Sequence, residues 1–178
     1  MIPVQTILGI DPALGTTGYG IIACEGASFA GSQVRLVDAG VIRCPRDEAL
    51  ECRLEELYRG LTELLGEFQP QALAIEQLYS HYDRPTTAIL MGHARGVIML
   101  AAAHAKVPVF SYAATQIKKT LTGAGRASKA QMQLAVQHQL RLGFTPNPPD
   151  VADALAIALT HRHFSLSPAS QLRISGNL

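Results

Sequence analysis

Tryptophan is absent from this sequence of 178 residues, and aromatic residues make up only 6% of it. Cysteine is scarce as well, since the three that occur are scattered along the chain at Cys24, Cys44 and Cys52. Their odd number and spacing fit neither a disulfide framework nor a zinc site, and they are typical of a reducing cytoplasm. Apolar residues still make up 48%, enough for a domain with its own core. We expect a single domain over residues 1–164 and a flexible tail at 165–178.

Long hydrophobic runs are also missing. A helix that spans a membrane needs about 20 predominantly apolar residues. The stretch that comes closest, residues 89–105, is interrupted by His93, Arg95 and His104. At the N-terminus, the first apolar run is too short for a secretory signal and has no basic start. We therefore expect no membrane span, no signal peptide and a cytoplasmic location.

Acidic residues are missing from one long segment. Residues 1–83 hold 12 acidic and five basic side chains, whereas residues 84–149 hold eight basic side chains and no acidic one. The net charge of +1 conceals this asymmetry. Such a segment predicts a surface that binds a polyanion, although an ordinary solvated surface is the alternative. Its basic residues are Arg84, Arg95, Lys106, Lys118, Lys119, Arg126, Lys129 and Arg141.

The N-terminal stretch has the pattern of a β-hairpin. Two apolar runs, residues 4–10 and 19–24, are separated by a short connection that contains proline and glycine. Asp11 directly follows the first run, so it is expected at the end of a core strand. A carboxylate fixed on a strand end can hold a metal ion, but aspartate also suits an ordinary turn. Both interpretations are open at this point.

The remaining apolar patterns predict three more strands and five helices. The strands are expected at residues 33–42, 72–76 and 107–112. The helices are expected at about residues 45–68, 85–105, 113–121, 128–142 and 150–164, with Ser128 as an N-cap. Three antiparallel strands followed by βαβ crossovers predict an α/β fold. We expect a five-stranded mixed sheet with helices on both faces.

Three further acids are candidates for the same site as Asp11. Glu76 ends an apolar run, and ligands bind α/β sheets at the carboxyl ends of strands, so it meets Asp11 if their strands are neighbours. Asp150 and Asp153 are three residues apart on a predicted helix and can point at one spot. Asp150 could also be a first-turn acid that the helix dipole favours. Asp153 lies in an apolar run, where an unpaired acid is costly.

Four carboxylates from two strand ends and a helix start suit hard divalent cations. Mg²⁺ prefers oxygen ligands and keeps water molecules that a substrate phosphate can replace. Two such ions about 3.5–4 Å apart can stabilise both the attacking and the leaving oxygen of a phosphodiester. The basic segment lies between Glu76 and Asp150 in the chain, so it can flank the same site. A metal site beside a polyanion-binding surface indicates a nuclease.

Four ordered motifs between about residues 6 and 163 resemble the RuvC family of bacterial Holliday-junction resolvases. They are Gly9-Ile10-Asp11-Pro12 with Gly18-Tyr19-Gly20, Ala74-Ile75-Glu76-Gln77, Gly92-His93-Ala94-Arg95-Gly96-Val97, and Asp150-Val151-Ala152-Asp153-Ala154-Leu155-Ala156. The resemblance implies an RNase H-like fold and metal-dependent cleavage of two opposed strands of a four-way DNA junction. The family's four catalytic, metal-binding acids fall on Asp11, Glu76, Asp150 and Asp153. The cofactor is expected to be Mg²⁺, with two ions per site, or Mn²⁺ as a substitute.

The resemblance also implies partners and DNA contacts. The family works as a homodimer alongside a branch-migration motor of the RuvA and RuvB type. Its aromatic residue after the second acid falls on Tyr79, and its two important lysines fall on Lys118 and Lys129. The other DNA contacts expected from the basic segment are Arg84, Lys119 and Arg126. The helix at residues 85–105 contains small residues that permit close packing, so we expect it to form the dimer interface.

Three alternatives remain open at this stage. Nucleotide-binding domains of the actin and Hsp70 type also begin with a strand, an aspartate and a hairpin. Against them, this chain has Ala13 where a glycine is usual, and it is too short for two such domains. A junction-binding scaffold without catalysis is the second alternative, and the presence of all four acids argues against it. The third is an RNase H-like nuclease with another substrate.

Overall fold

The computed structural model describes residues 4–25, 33–78 and 85–165. Within these ranges the elements are β1 (Val4–Asp11), β2 (Thr16–Glu25), β3 (Gln33–Arg43), α1 (Leu50–Phe68), β4 (Ala72–Glu76), α2 (Pro85–His104), β5 (Val109–Tyr112), α3 (Ala114–Thr122), α4 (Lys129–Gln139) and α5 (Pro149–Ser165). The sheet order is β3-β2-β1-β4-β5. Its first two pairings are antiparallel and its last two parallel, so the predicted mixed sheet is confirmed.

The two faces of the sheet bury separate apolar clusters. Ile7 and Ala74 contribute to a cluster that includes side chains of α3, α4 and α5. Leu8 and Leu73, one residue away on the same strands, contribute to a cluster with α1 and α2. Successive side chains of a strand point to opposite faces of the sheet. Helices therefore cover both faces, as predicted.

Helix α5 lies close against β1 and β2. A Cβ atom at Gly9 would overlap the carbonyl oxygen of Ala154, and one at Gly18 would overlap that of Asp150. A glycine within a strand often marks such a close approach of another backbone. The helix is consequently enclosed, because Val151, Ala152 and residues 154–161 are all buried. The start of α5 is thereby held against the carboxyl end of β1.

Helix α2 packs against α1 with one face and leaves apolar residues on the other. Ala94 and Ile98 are fully buried, whereas Ile89 is 60% exposed and Leu100 is 50% exposed. By length and composition alone, Thr86–His104 could cross a membrane, with a mean hydropathy of 1.3. No other helix among the described residues meets those criteria. Arg95, His93 and His104 interrupt this run in the sequence, but the helix still meets the length and hydropathy criteria for a membrane span.

The start of α1 differs from the prediction. The helix begins at Leu50 rather than near residue 45. The backbone N–H of Cys44 donates to the carbonyl oxygen of Gly15 at 3.0 Å, which ties this segment to the connection between β1 and β2. This tertiary contact and a turn at residues 46–47 occupy the preceding chain, and the helix begins after them.

The start of β5 and the end of α4 also differ from the prediction, because a residue near each has a positive φ angle. Lys106 has a φ of 58°, and the N–H of Val107 donates back to the carbonyl of Ala102, so β5 begins only at Val109. Arg141 has a φ of 53°, and it follows the end of α4 at Gln139. Both residues terminate a helix in the left-handed conformation, which is common at helix ends.

Candidate active site

Asp11 and Glu76 lie at the carboxyl ends of adjacent parallel strands. Ile10 pairs with Ile75 in the register of β1 and β4, so the two acids follow at the same level of the sheet. Both isoleucines contribute to the cluster with α1 and α2. Alternation along a strand then directs Asp11 and Glu76 toward the opposite face, where α5 lies. The structure thus brings these two carboxylates to one edge and one face of the sheet.

Asp150 and Asp153 come to this edge from the first turns of α5. Gly18, the register partner of Asp11, lies against the backbone of Asp150. Asp153 lines a cavity of about 200 Å³ together with Glu76. The charges of the other three acids all act on Asp11. We term this set the carboxylate cluster: Asp11, Glu76, Asp150 and Asp153.

Burial and mutual repulsion disfavour the ionised forms within the cluster. Burial, followed by the charges of Asp153, Glu76 and Asp150, raises the pKa of Asp11 to about 7. Burial is also the main cause that raises the pKa of Glu76, and the charge of Asp153 adds to it. The pKa of Asp153 is raised chiefly by burial as well. Strongly perturbed carboxyl groups in a cleft are typical of a functional site.

The donor chemistry of the cluster fits a hard divalent cation. Its ligands are carboxylate oxygens, and a cation relieves the repulsion that raises their pKa values. As placed, no three His, Cys, Asp or Glu side chains within residues 4–25, 33–78 and 85–165 are close enough to share one ion. Binding of one cation by three of these acids would therefore need a change in their side-chain positions.

Two lysines of the basic segment reach the cluster. Lys129 Nζ lies 3.7 Å from Oδ2 of Asp153, and its side chain is 77% exposed. Lys118 of α3 lines the same cavity, and its charge lowers the pKa of Glu76 and of Asp153. The Lys129 ammonium is largely exposed and can therefore face a phosphate, whereas the side chain of Asp153 is only 34% exposed.

The predicted N-cap of α4 is confirmed. Ser128 Oγ accepts from the N–H of Gln131 at 3.3 Å and fixes the start of α4.

The other predicted DNA contacts are distributed more widely. Lys119 on α3 and Arg126 in the connection to α4 are both exposed to solvent. Tyr79 and Arg84 lie outside the described residues. Lys106 lies before β5, at the end of that strand remote from the cluster, and it borders a separate cavity with His104. The basic segment therefore does not face the carboxylate cluster along its whole length.

Arg95 lies beside Glu76, a position that was not predicted from the sequence. Its guanidinium donates to the backbone carbonyl oxygen of Glu76 and, at 2.7 Å, to Oγ of Ser111. Arg95 also lines a second cavity of about 770 Å³ together with Asp11 and Glu76. In the sequence it counts only toward the basic segment and one motif. One feature of the sequence could have indicated its role: Arg95 is the single Lys or Arg in α2, a mainly apolar helix.

The connection between β1 and β2, which follows Asp11, is held by hydrogen bonds. Thr17 is fully buried, and its Oγ1 donates to the carbonyl of Ala13 at 2.5 Å and accepts from its N–H at 3.3 Å. Arg53 of α1 donates to the carbonyl of Leu14 at 2.8 Å. Ala13 is not among the non-glycine residues with positive φ in the described chain, which are Gln69, Lys106 and Arg141. Alanine is therefore compatible with the backbone at a position where glycine is usual.

Comparisons with known proteins identify the family of this chain. The family model described as crossover junction endodeoxyribonuclease RuvC matches residues 7–161. A protein of that name from Rhodopirellula baltica is 53% identical over 165 residues, which cover 93% of this chain and 90% of the relative. One from Photorhabdus laumondii is 45% identical over 161 residues, which cover 89% of this chain and 87% of the relative.

Solved structures extend the likeness to the fold. A structure of Thermus thermophilus RuvC in complex with Holliday junction substrate matches with a TM-score of 0.83 at 34% identity, over 91% of this chain and 95% of that one. Thermus thermophilus RuvC alone matches with a TM-score of 0.82 at 35% identity, over 90% and 95% of the two chains. The expected RNase H-like fold is confirmed. The predicted family is confirmed as well: this chain belongs to the RuvC family of crossover junction endodeoxyribonucleases, which are metal-dependent nucleases.

Proposed function

We propose that this chain resolves Holliday junctions in DNA recombination and repair, by hydrolysing phosphodiester bonds in two opposed strands of a four-way junction. The observation that carries this proposal is the carboxylate cluster at the carboxyl edge of the sheet, with Lys118 and Lys129 beside it, in a chain of the RuvC family. A relative of known structure is described in complex with Holliday junction substrate.

The four acids of the carboxylate cluster are proposed as the catalytic, metal-binding residues. Bound divalent ions, Mg²⁺ with two per site or Mn²⁺ as a substitute, would polarise the scissile phosphate and lower the pKa of a nucleophilic water. Asp11 and Glu76 are fixed on adjacent strands, and Asp150 and Asp153 are fixed by the close packing of α5. Because the pKa of Asp11 is about 7, binding of a cation would release a proton below neutral pH.

The phosphates of the junction are proposed to contact Lys118 and Lys129. The ammonium group of Lys129 is largely exposed, so a phosphate could reach it beside Asp153. Lys119, Arg126 and Arg84 would extend the contact along the DNA arms. Tyr79 is proposed as a platform for an unstacked base at the junction centre, and such stacking contributes about 1–3 kcal/mol per base.

A homodimer is proposed to form through the exposed face of α2. The supporting features are the exposed apolar residues Ile89 and Leu100 and the small Gly96 between them. In the described chain, no atom beyond its own helical turn lies within 4 Å of a Cβ built at Gly96, so a partner helix can approach there. A junction has near two-fold symmetry and needs two nicks, which suits two sites related by a two-fold axis. Burial against a second copy would also account for the apolar composition of α2.

We propose that the protein acts in the cytoplasm, alongside a branch-migration motor of the RuvA and RuvB type.

We also propose that residues 1–164 are one nuclease domain. The shared sheet supports this, since its two faces bury the clusters of all five described helices.

The deciding experiment compares a synthetic four-way junction with a linear duplex of the same sequence, each with and without Mg²⁺. We expect paired nicks on opposed strands of the junction, in the presence of Mg²⁺ and not in its absence. Equal cutting of the duplex would indicate a nuclease without junction selectivity. Binding of the junction without cutting in either Mg²⁺ or Mn²⁺ would favour a scaffold.

A further inference from the structure

Arg95 joins three elements beside the carboxylate cluster. It belongs to α2, and its guanidinium donates to the carbonyl oxygen of Glu76 on β4 and to Oγ of Ser111 on β5. A guanidinium is planar, and its donors have a fixed arrangement. Two contacts from one such group therefore restrict how α2, β4 and β5 lie relative to one another.

The contact falls where the sheet no longer holds Glu76 from both sides. The register of β1 and β4 ends at Ile10 and Ile75, so the carbonyl group of Glu76 lies beyond the last pair. On the other side, the N–H of Gln77 donates to the carbonyl of Tyr112 at 2.8 Å. The hydrogen bond from Arg95 therefore anchors the backbone of Glu76 on the side where pairing with β1 has ended.

The same geometry leaves the Glu76 carboxylate available. The partners of Arg95 are a backbone carbonyl and a hydroxyl group. The positive charge that lowers the pKa of the Glu76 carboxyl group comes from Lys118. Arg95 is itself half-buried, and a buried guanidinium needs hydrogen-bond acceptors. Arg95 thus acts on the backbone of Glu76 and does not neutralise its side chain.

We propose that Arg95 is a positioning residue, which sets the direction in which the Glu76 carboxylate enters the metal site by holding the carbonyl of Glu76 and the hydroxyl of Ser111. The inference rests on the proposed function of the carboxylate cluster. Groups that orient a metal ligand typically change metal affinity or activity by about 10–100-fold when they are removed.

The test measures Mn²⁺ affinity of the DNA-free protein by calorimetry, together with junction cutting and metal-free junction affinity. Arg95→Met removes both donors and is expected to weaken Mn²⁺ binding about tenfold and to slow cutting by a similar factor. Junction affinity should stay at the wild-type value. Arg95→Lys can make one of the two contacts at a time and should recover part of the loss. Ser111→Ala removes one of the two hydrogen bonds of Arg95 and should weaken Mn²⁺ binding by less, about threefold.

Lys106→Met is the matched control. It removes one positive charge from the same basic segment, at the end of β5 remote from the carboxylate cluster. We expect no change in Mn²⁺ affinity or in the cutting rate. A loss equal to that of Arg95→Met would mean that net charge, and not position, causes the effect, and would overturn the proposal.

Further results of the same measurements also test the role of Arg95. Wild-type Mn²⁺ affinity in folded Arg95→Met would overturn the proposal. A loss of junction affinity together with a weaker salt dependence would also overturn it, because that result would show that Arg95 contacts a phosphate. If Arg95→Met does not fold, unchanged Mn²⁺ affinity in both Arg95→Lys and Ser111→Ala overturns it. A wild-type protein that binds Mn²⁺ but cuts no junction would refute the resolvase function, while the Mn²⁺ comparison would still decide the role of Arg95.

Discussion

Helices α2 and α5 are both apolar around much of their circumference, yet they lie in opposite environments. In α5, Val151, Ala152 and residues 154–161 are buried against the sheet and its neighbouring helices. In α2, Ile89 and Leu100 remain at least half exposed. A helix that is hydrophobic all round is normally buried in a core or in a membrane. The sheet of this chain and the helices around it thus enclose α5, whereas they leave an apolar face of α2 exposed.

The largest effect is expected where α5 meets the strand ends. Asp153→Asn, Asp11→Asn and Glu76→Gln should each slow junction cutting about 1000-fold or more, since metal ions supply several kcal/mol and each 1.36 kcal/mol is tenfold. Junction binding should be nearly unchanged, because phosphates are contacted by basic residues. Cleavage and gel-shift assays on one junction check this. Equal loss of cutting and binding in folded variants would contradict the assignment.

Asp150 tests the same end of α5 with two substitutions. Asp150→Asn should also be severe, because an amide is a weaker ligand than a carboxylate. Asp150→His should be milder, since an imidazole nitrogen can still bind a divalent metal. The ratio of their cutting rates in Mn²⁺ is the measurement. Equal rates for the two variants would argue that Asp150 is a first-turn acid of α5 and no ligand.

The burial of charge under α5 should make stability depend on pH. The pKa of Asp11 is about 7 in the folded protein against an ordinary value of 3.8. The folded state therefore binds more protons than the unfolded state between these values, and the metal-free protein should lose stability as pH rises from about 4 to 7. The loss over this whole range should be about 4 kcal/mol at most, at 1.36 kcal/mol per pKa unit. Urea unfolding at pH 5 and pH 8 measures it.

Asp11→Asn is the control for that pH dependence. It removes the group whose ionisation is unfavourable, so the decline should flatten and the variant should exceed wild type in stability at pH 8. The same variant should not cut junctions. A wild-type protein that becomes more stable between pH 5 and pH 8 without metal would contradict the prediction.

The close contact of α5 with the sheet should be sensitive to a single methyl group. Gly18→Ala introduces a Cβ atom that overlaps the backbone of Asp150 and should destabilise the protein by about 2 kcal/mol. Gly66→Ala on α1 is the matched control. Across the described residues, nothing outside the helix backbone lies within 4 Å of the Cβ it adds, so it should stabilise by up to about 1 kcal/mol. Urea unfolding of both variants is the measurement, and equal effects would refute the contrast.

The exposed face of α2 should be sensitive to charge. Leu100→Lys would bury a charge in the proposed dimer interface and should weaken dimerisation at least about tenfold. Leu134→Lys on α4 is the matched control, because Leu134 is 63% exposed but lies on another helix. Light scattering at micromolar concentration distinguishes the two variants. A wild-type protein that stays monomeric even on junction DNA would show that α2 does not form the interface.

The smallest effect concerns the lysines that flank α5. Lys118→Ala and Lys129→Ala should each reduce the slope of log affinity against log salt by about one, if each contacts a phosphate. Lys106→Ala should leave the slope unchanged, because Lys106 lies at the far end of β5. Unchanged slopes in all three variants would mean that DNA approaches from another side.

The sheet could be predicted from the sequence because its strands are apolar runs bounded by turn residues. The start of α1 could not, since it depends on the hydrogen bond between Cys44 and Gly15, which are far apart in the chain. The end of α4 depends on the left-handed conformation of Arg141, which is rare for residues other than glycine and carries no sequence signal.

The position of the candidate site at one edge of the sheet was predictable. Asp11 and Glu76 end apolar runs, and the pairing of β1 with β4 then brings them to the same level. The positions of the carboxylate side chains relative to one another were not predictable, because they depend on how α5 packs against the sheet. The contact of Arg95 with Glu76 joins residues 19 positions apart on different elements, and only the packed structure reveals it.

The contact between Gly18 and Asp150 also has a consequence for the order of events during protein synthesis. Asp11 and its partner Gly18 are made early, whereas α5 follows every other described element in the chain. A nascent chain therefore contains Asp11, Glu76 and the whole basic segment before Asp150 and Asp153 have been added. If the cluster cuts DNA as proposed, an unfinished chain could adhere to DNA without nicking it. The activity would begin only when the last helix docks.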